Sequence, residues 1–97
     1  MQQIELHELY QLLRENKDIF LLDVREEQEH ETYNIGGVLI PLSEVITNAN
    51  NIPKHKPVVV YCRKGIRSQI AIQRLEEKFG FTNLINLRGG IGDGNNK

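Results

Sequence analysis

The chain has no tryptophan, three prolines and a single cysteine in 97 residues. One cysteine rules out a disulfide framework within the chain, so the expected compartment is the cytoplasm. Long apolar runs are missing as well. The longest, Ile19-Phe20-Leu21-Leu22 and Val58-Val59-Val60-Tyr61-Cys62, stop at four or five residues, where a membrane helix needs about 20. Met1-Gln2-Gln3 leads straight into Glu5 and His7, with neither the basic start nor the apolar block of a signal peptide. Aromatics make up only 6% of the chain, too few to interleave with its basic residues as a nucleic-acid surface requires. His7, His30 and His55 share no metal-ligand spacing with each other or with Cys62. No metal or organic cofactor is expected, and the histidines are assigned to the surface.

What is present suits one small globular domain over residues 1–97, with 39% apolar and 26% charged residues. The net charge of −1 conceals two unlike halves. Residues 1–52 carry −7 and residues 53–97 carry +6, with three cations between Cys62 and Arg67. The acidic run Glu26–Glu31 reads as a solvated helix face.

Strands and helices alternate along the chain. Leu6, Leu9, Tyr10 and Leu13 mark an amphipathic helix over about 6–16. Ile19–Leu22 and Val58–Cys62 are continuous apolar runs, as expected of strands buried on both faces of a helix-flanked sheet. A short polar helix is expected at 26–32, and a strand at Val38-Leu39-Ile40 closed by Pro41. A helix capped by Ser43 should run through Val45 and Ile46. A helix from Ser68 to Gly80 should bury Ile70, Ala71, Leu75 and Phe79. Leu84–Leu87 is a last strand. The fold class is therefore α/β with a mainly parallel sheet, in which ligands bind beyond the carboxyl ends of the strands. Cys62 falls at such an end.

By default a lone thiol is a small buried apolar residue. The segment Cys62-Arg63-Lys64-Gly65-Ile66-Arg67-Ser68 argues otherwise. A strand delivers the thiol to a short loop whose N–H groups can turn inward as an anion nest. The following helix start adds free N–H groups and a positive dipole end. Arg63, Lys64 and Arg67 add charge, Gly65 permits a tight turn with positive φ, and Ser68 is placed to cap the helix. Each feature favours thiolate, the nucleophilic form.

The segment resembles the active-site loop of rhodanese-type sulfurtransferases, whose pattern is C-[RK]-x-G-x-R-S. Leu22-Asp23-Val24-Arg25-Glu26 is similar to the family's DVRE segment, Ile40-Pro41-Leu42 to its IPL, Gly80–Leu84 to GF-x-N-[VL], and Leu87-Arg88-Gly89-Gly90 to L-x-G-G. The resemblance spans nearly the whole chain. It implies a three-layer fold with a five-stranded, mainly parallel sheet flanked by helices. It also implies that Cys62 accepts a sulfane sulfur as a persulfide and passes it to a thiophilic acceptor. Arg63, Lys64, Gly65, Ile66 and Arg67 would bind substrate, with Arg67 stabilising the anionic sulfur. Ser68 and a structural Asp23–Arg25 pair would support the loop. The implied partners are a small anionic donor such as thiosulfate and a thiol acceptor.

Two alternatives remain at this point. Cysteine-dependent phosphatases and arsenate reductases of related architecture show H-C-x5-R, whereas this chain has Tyr61 before the cysteine and C-x4-R after it. Non-catalytic rhodanese-like modules typically lack the cysteine. Tyr33-Asn34-Ile35-Gly36-Gly37-Val38 departs from the common G-H-I-x-G-A. It is closer to the C-terminal rhodanese domain of adenylyltransferase–sulfurtransferase proteins, which implies a ubiquitin-like sulfur carrier or its adenylating enzyme as a partner. The segment Ile91–Lys97 lacks the family's usual aromatic, and a frayed tail over 91–97 is expected.

Overall fold

The computed structural model describes residues 1–94. Five strands, β1 (Gln3–Ile4), β2 (Phe20–Asp23), β3 (Val38–Leu39), β4 (Val58–Tyr61) and β5 (Leu84–Leu87), form one sheet in the order β1-β5-β4-β2-β3. All four pairings are parallel. The helices are α1 (Leu6–Arg14), α2 (Glu27–Thr32) and α3 (Arg67–Phe79), with two 3-10 turns at Leu42–Glu44 and Ala49–Asn51. Among the described residues no helix is long and apolar enough to cross a membrane.

Central β4 shows why a continuous apolar run is needed. Its Val58 and Val60, followed by Cys62, join a core with Val24, Val45, Ala71, Ile72, Leu75 and Leu84. Val59 and Tyr61 point to the opposite core, where Leu9 of α1 packs with Leu87 and Ile91. Alternation puts successive side chains into two cores, so every position must be apolar. β4 continues from its last residue into the loop that carries Cys62.

Several local expectations shift. Asn16 adopts φ +60°, so α1 ends at Arg14 rather than at residue 16. The helix expected from Ser43 is replaced by the two 3-10 turns. Ile46-Thr47-Asn48-Ala49-Asn50-Asn51 combines β-branched residues, which lose side-chain freedom in a helix, with asparagines, which favour turns over helix interiors. In α3 the buried stripe is Ser68, Ala71, Ile72 and Leu75, while Ile70 and Phe79 are exposed. Ser68 lies inside the helix and does not cap it. Gly80 ends α3 in the left-handed region, its N–H donating to Glu76.

The expected fraying does not begin at residue 91. Ile91 is buried, and the N–H groups of Ile91 and Gly92 donate to the carbonyls of Cys62 and Arg63 at 3.0 and 2.9 Å. The remainder of that expectation, residues 95–97, lies outside the described residues.

The chain winds outward from β2 to β3, then crosses back to β4 and winds outward the other way to β5. The winding reverses between β2 and β4. Crevices at such switch points, outside the carboxyl ends of the strands, are where open α/β sheets hold ligands.

Candidate active site

Two ionisable groups sit beside this crevice. Asp23 ends β2, opposite Tyr61 in register, and Cys62 follows directly after β4. Asp23 is fully buried and paired with buried Arg25, whose Nε and Nη2 donate to Oδ1 and Oδ2 at 2.9 and 2.8 Å. The Arg25 guanidinium also donates to the Tyr33 carbonyl and lies 5.7 Å from the centre of the Tyr61 ring. His30 approaches the same carboxylate, Nδ1 to Oδ2 at 2.8 Å, so this histidine, assigned to the surface from sequence, is part-buried against Asp23. Burial alone pushes the Asp23 carboxyl up, but hydrogen bonds from Arg25 and His30 outweigh it and hold the group below its usual range.

Cys62 is held differently. Its Sγ accepts the backbone N–H of Gly65 at 3.1 Å and of Ser68 at 3.4 Å, and the Ser68 Oγ lies 3.5 Å away. Burial pushes the thiol up. Hydrogen bonding with Ser68 and the N–H groups of Gly65 and Lys64 pull it down further, leaving it below the ordinary thiol value. Gly65 makes this possible with φ +88°. A Cβ there would also lie 2.9 Å from the Gly89 nitrogen. Gly90 permits a second close approach, since a Cβ on it would overlap the carbonyl of Arg63. The segment after β5 is therefore packed directly on the back of the loop.

The family resemblance implies that Arg67 stabilises the anionic sulfur. Instead its Nη1 and Nη2 grip Glu29 of α2 at 2.7 and 2.9 Å. Glu29 Oε1 also accepts the Glu26 N–H, so one carboxylate joins the start of α2 to the start of α3. The Arg67 hydrogen bonds hold the Glu29 carboxyl down at about 2. Arg63 is half exposed, 3.5 Å from Asp93, while Lys64 and Ile66 are exposed.

A cavity of about 280 Å³ opens onto the thiol, lined by Glu29, Cys62, Arg63, Lys64, Ile66 and Arg67. Cys62 itself is 1% exposed, so the sulfur forms the floor of the opening and is not a projecting group. A larger hollow of about 510 Å³ adjoins it and shares Glu29 and Arg63. Residues 62–68 are thus brought together with Glu29, Asn86 and the glycines at 89–90, none of which the sequence reading placed at the site. Glu29 lay within an acidic run that looked like ordinary solvated helix surface. Its i+3 relation to Glu26 across a helix start was the available signal.

Residues 5–97 match the family model described as the rhodanese-like domain. The chain belongs to that family. A sulfurtransferase of Allochromatium vinosum is 36% identical over 90 residues, 92% of this chain and 83% of that protein. The thiosulfate sulfurtransferase GlpE of Coxiella burnetii is 34% identical, over 92% of this chain and 82% of its own length. The adenylyltransferase and sulfurtransferase UBA4 of Meyerozyma guilliermondii is also 34% identical, but this chain spans only 23% of it. Among solved structures, the rhodanese-like domain protein from Staphylococcus aureus superposes with a TM-score of 0.83 at 31% identity. That match covers 93% of this chain and 87% of the other. The rhodanese-like fold expected from the loop motif is therefore present, with its five strands all parallel.

Proposed function

We propose that this rhodanese-like chain is a sulfurtransferase that carries a sulfane sulfur as a persulfide on Cys62. The observation that carries the reading is the Cys62 sulfur on the floor of an open cavity, facing backbone donors from Gly65 and Ser68. With thiosulfate as donor, the Cys62 thiolate attacks the outer sulfur. The new bond is Cys62 S–S, the old S–S bond breaks, and its electron pair leaves with sulfite. An acceptor such as cyanide or a thiolate then takes the outer sulfur and returns the Cys62 thiolate. Two anions meet in the first step, so the cations at the rim, Arg63 and Lys64, raise the local donor concentration. The N–H groups of Gly65 and Ser68, with that of Lys64, hold negative charge on the Cys62 sulfur without occupying the open side. Arg67 acts through its grip on Glu29, fixing the loop against α2. The Asp23–Arg25 pair fixes the neighbouring strand end.

With one cysteine in the chain, the persulfide has no internal thiol with which to form a disulfide. The sulfur must leave to an outside acceptor. The similarity to part of UBA4 supports a protein acceptor of the sulfur-carrier kind. The outer sulfur displaces the activating group from the carrier's carboxylate to give an acyl disulfide, and an external thiol reductant then frees the thiocarboxylate and returns the Cys62 thiolate. The test is mass spectrometry after incubation with thiosulfate. One added sulfur atom on Cys62, removed by cyanide and absent in Cys62→Ser, is the expected result. An unchanged mass with thiosulfate and with small persulfide donors overturns the reading in favour of a non-catalytic module.

A further inference from the structure

Among the described residues four polar ones are buried: Asp23, Arg25, Ser68 and Asn86. The first two satisfy one another. The other two form a separate chain that leads to the thiol. Ser68 Oγ lies 3.5 Å from Cys62 Sγ and donates its proton to Asn86 Oδ1. Asn86 Nδ2 in turn donates to Gln3 Oε1 at 3.0 Å. Gln3 sits opposite Asn86 in register on the edge strand, and Asn86 sits opposite Val60 of β4. A line of hydrogen bonds therefore crosses from an exposed residue at the sheet edge, through a buried amide, to the reactive sulfur.

The chemistry of that line depends on its direction. A serine hydroxyl has one proton and two lone pairs. When Asn86 turns its oxygen toward Ser68, the proton is committed to Asn86 and the sulfur meets only a lone pair, which suits S–H. When Asn86 turns its NH2 group instead, the hydroxyl is free to donate to the sulfur, which suits S⁻. Asn86 has no exposure to water, so neither end of its amide can be left unpaired without cost. The partner at its far end therefore decides which way it faces. A glutamine offers either an oxygen or an NH2 group and can match both arrangements.

We propose that Gln3 and Asn86 are positioning residues that set the direction of the Ser68 hydroxyl, and through it how readily the Cys62 sulfur carries negative charge. Thiol and thiolate call for opposite directions of the same four-residue line, and Gln3 is suited to its position because it serves both. The inference rests on Cys62 being the reactive group of the proposed function.

The test reads the thiolate directly, as the rate of Cys62 alkylation by iodoacetamide against pH. The single cysteine makes the signal unambiguous. Gln3→Glu offers only an acceptor, locks the Asn86 oxygen toward Ser68, and should raise the midpoint. Gln3→Lys offers only a donor, turns the Asn86 NH2 group toward Ser68, and should lower it. The two midpoints should differ by about one pH unit, the worth of one hydrogen bond to a charged group. Charge at residue 3 also acts through space, so both variants are repeated with Ser68→Ala, which cuts the line and leaves that field intact. The difference should then fall to a third or less. Arg63 and Lys64 of the loop, Arg67 of α3 and Glu29 of α2 line the cavity that opens onto the sulfur and are the same in every variant. Asn86→Ala, which frees the hydroxyl to turn to the sulfur, should lower the midpoint on its own. Should Ser68→Ala fail to fold, that sign decides. Equal midpoints for Gln3→Glu and Gln3→Lys, a difference undiminished by Ser68→Ala, or a midpoint raised by Asn86→Ala overturns the proposal. Alkylation needs no sulfur transfer, so expected midpoints together with no persulfide would sink the proposed function alone.

Discussion

Strands β2 and β4 are neighbours of equal length that bring ionisable groups to the same edge of the sheet, yet they hold those groups by opposite means. Asp23 is held mainly by side chains, two nitrogens of Arg25 and His30, with the Arg25 backbone N–H donating at 3.0 Å as well. Cys62 is held mainly by backbone N–H groups, with one side open to a cavity. A charged side-chain partner suits a permanent charge, because it fixes the carboxylate and closes it off. Backbone donors suit a charge that comes and goes, because they stabilise it without adding a counter-ion that would pair with it permanently. The Arg67–Glu29 pair stands between these cases. It is a fixed ion pair at the wall of the reactive cavity, and it spends the arginine on the loop, leaving the sulfur to the backbone.

The sharpest way to separate the two strand ends is to remove each group in turn. Cys62→Ser should abolish sulfur uptake while shifting the denaturant midpoint little, since oxygen replaces sulfur in a nearly isosteric position. Asp23→Ala should do the reverse in kind. It leaves Arg25 buried without its partner, a loss of about 3–5 kcal/mol, measurable by urea unfolding. If Asp23→Ala proved as stable as the parent, the contrast between a structural and a reactive strand end would fail.

Gly65→Ala should damage both properties, because the N–H that contacts the sulfur exists only while residue 65 keeps φ +88°. A strained left-handed alanine, crowded by Gly89, should cost roughly 1–3 kcal/mol. Sulfur uptake should slow at least tenfold, as read by stopped-flow persulfide formation.

Glu29→Gln tests the intermediate pair. Its side chain is 31% exposed, which limits the expected stability loss to about 1 kcal/mol. Loop position should loosen enough to slow sulfur uptake a few-fold. The same variant sharpens the acid response. Asp23 and Glu29 both have folded-state values below their ordinary ones, Glu29 at about 2. Their stabilisation is therefore complete above the unfolded values near 4, and it disappears as pH falls through the folded values. Unfolding free energy of the parent should decline from about pH 5 down to about pH 2. Glu29→Gln should show the shallower decline, and parallel curves would remove Glu29 from the account.

Much of the fold was legible because burial on both faces leaves an unmistakable mark. Val58–Tyr61 and Leu84–Leu87 are strands as expected, and Gly80 stops α3 where its position implied. Two-residue β1 carries no such mark, since Gln3-Ile4 is too short to show a period. The segment 42–52 misled because one good capping residue, Ser43, precedes residues that do not sustain a helix. At the site, residues 62–68 were readable as a unit because the loop is contiguous in sequence. Glu29 and Asn86 were not, because their partners lie 38 and 18 residues away.

The sequence by itself determined that one thiol would stand at a strand end, before a glycine turn and a helix, in a chain with no second cysteine. That much follows from local order: which residues neighbour which, and what backbone each permits. Only the tertiary structure decided what that thiol faces. Placing β2 beside β4 brought Glu29 onto Arg67 and took the arginine away from the sulfur. Placing β5 and β1 on the other side brought Asn86 and Gln3 into line with Ser68. Hydrogen bonds and ion pairs act over a few ångströms, so which charges a sulfur meets is settled by how distant segments of chain are packed together.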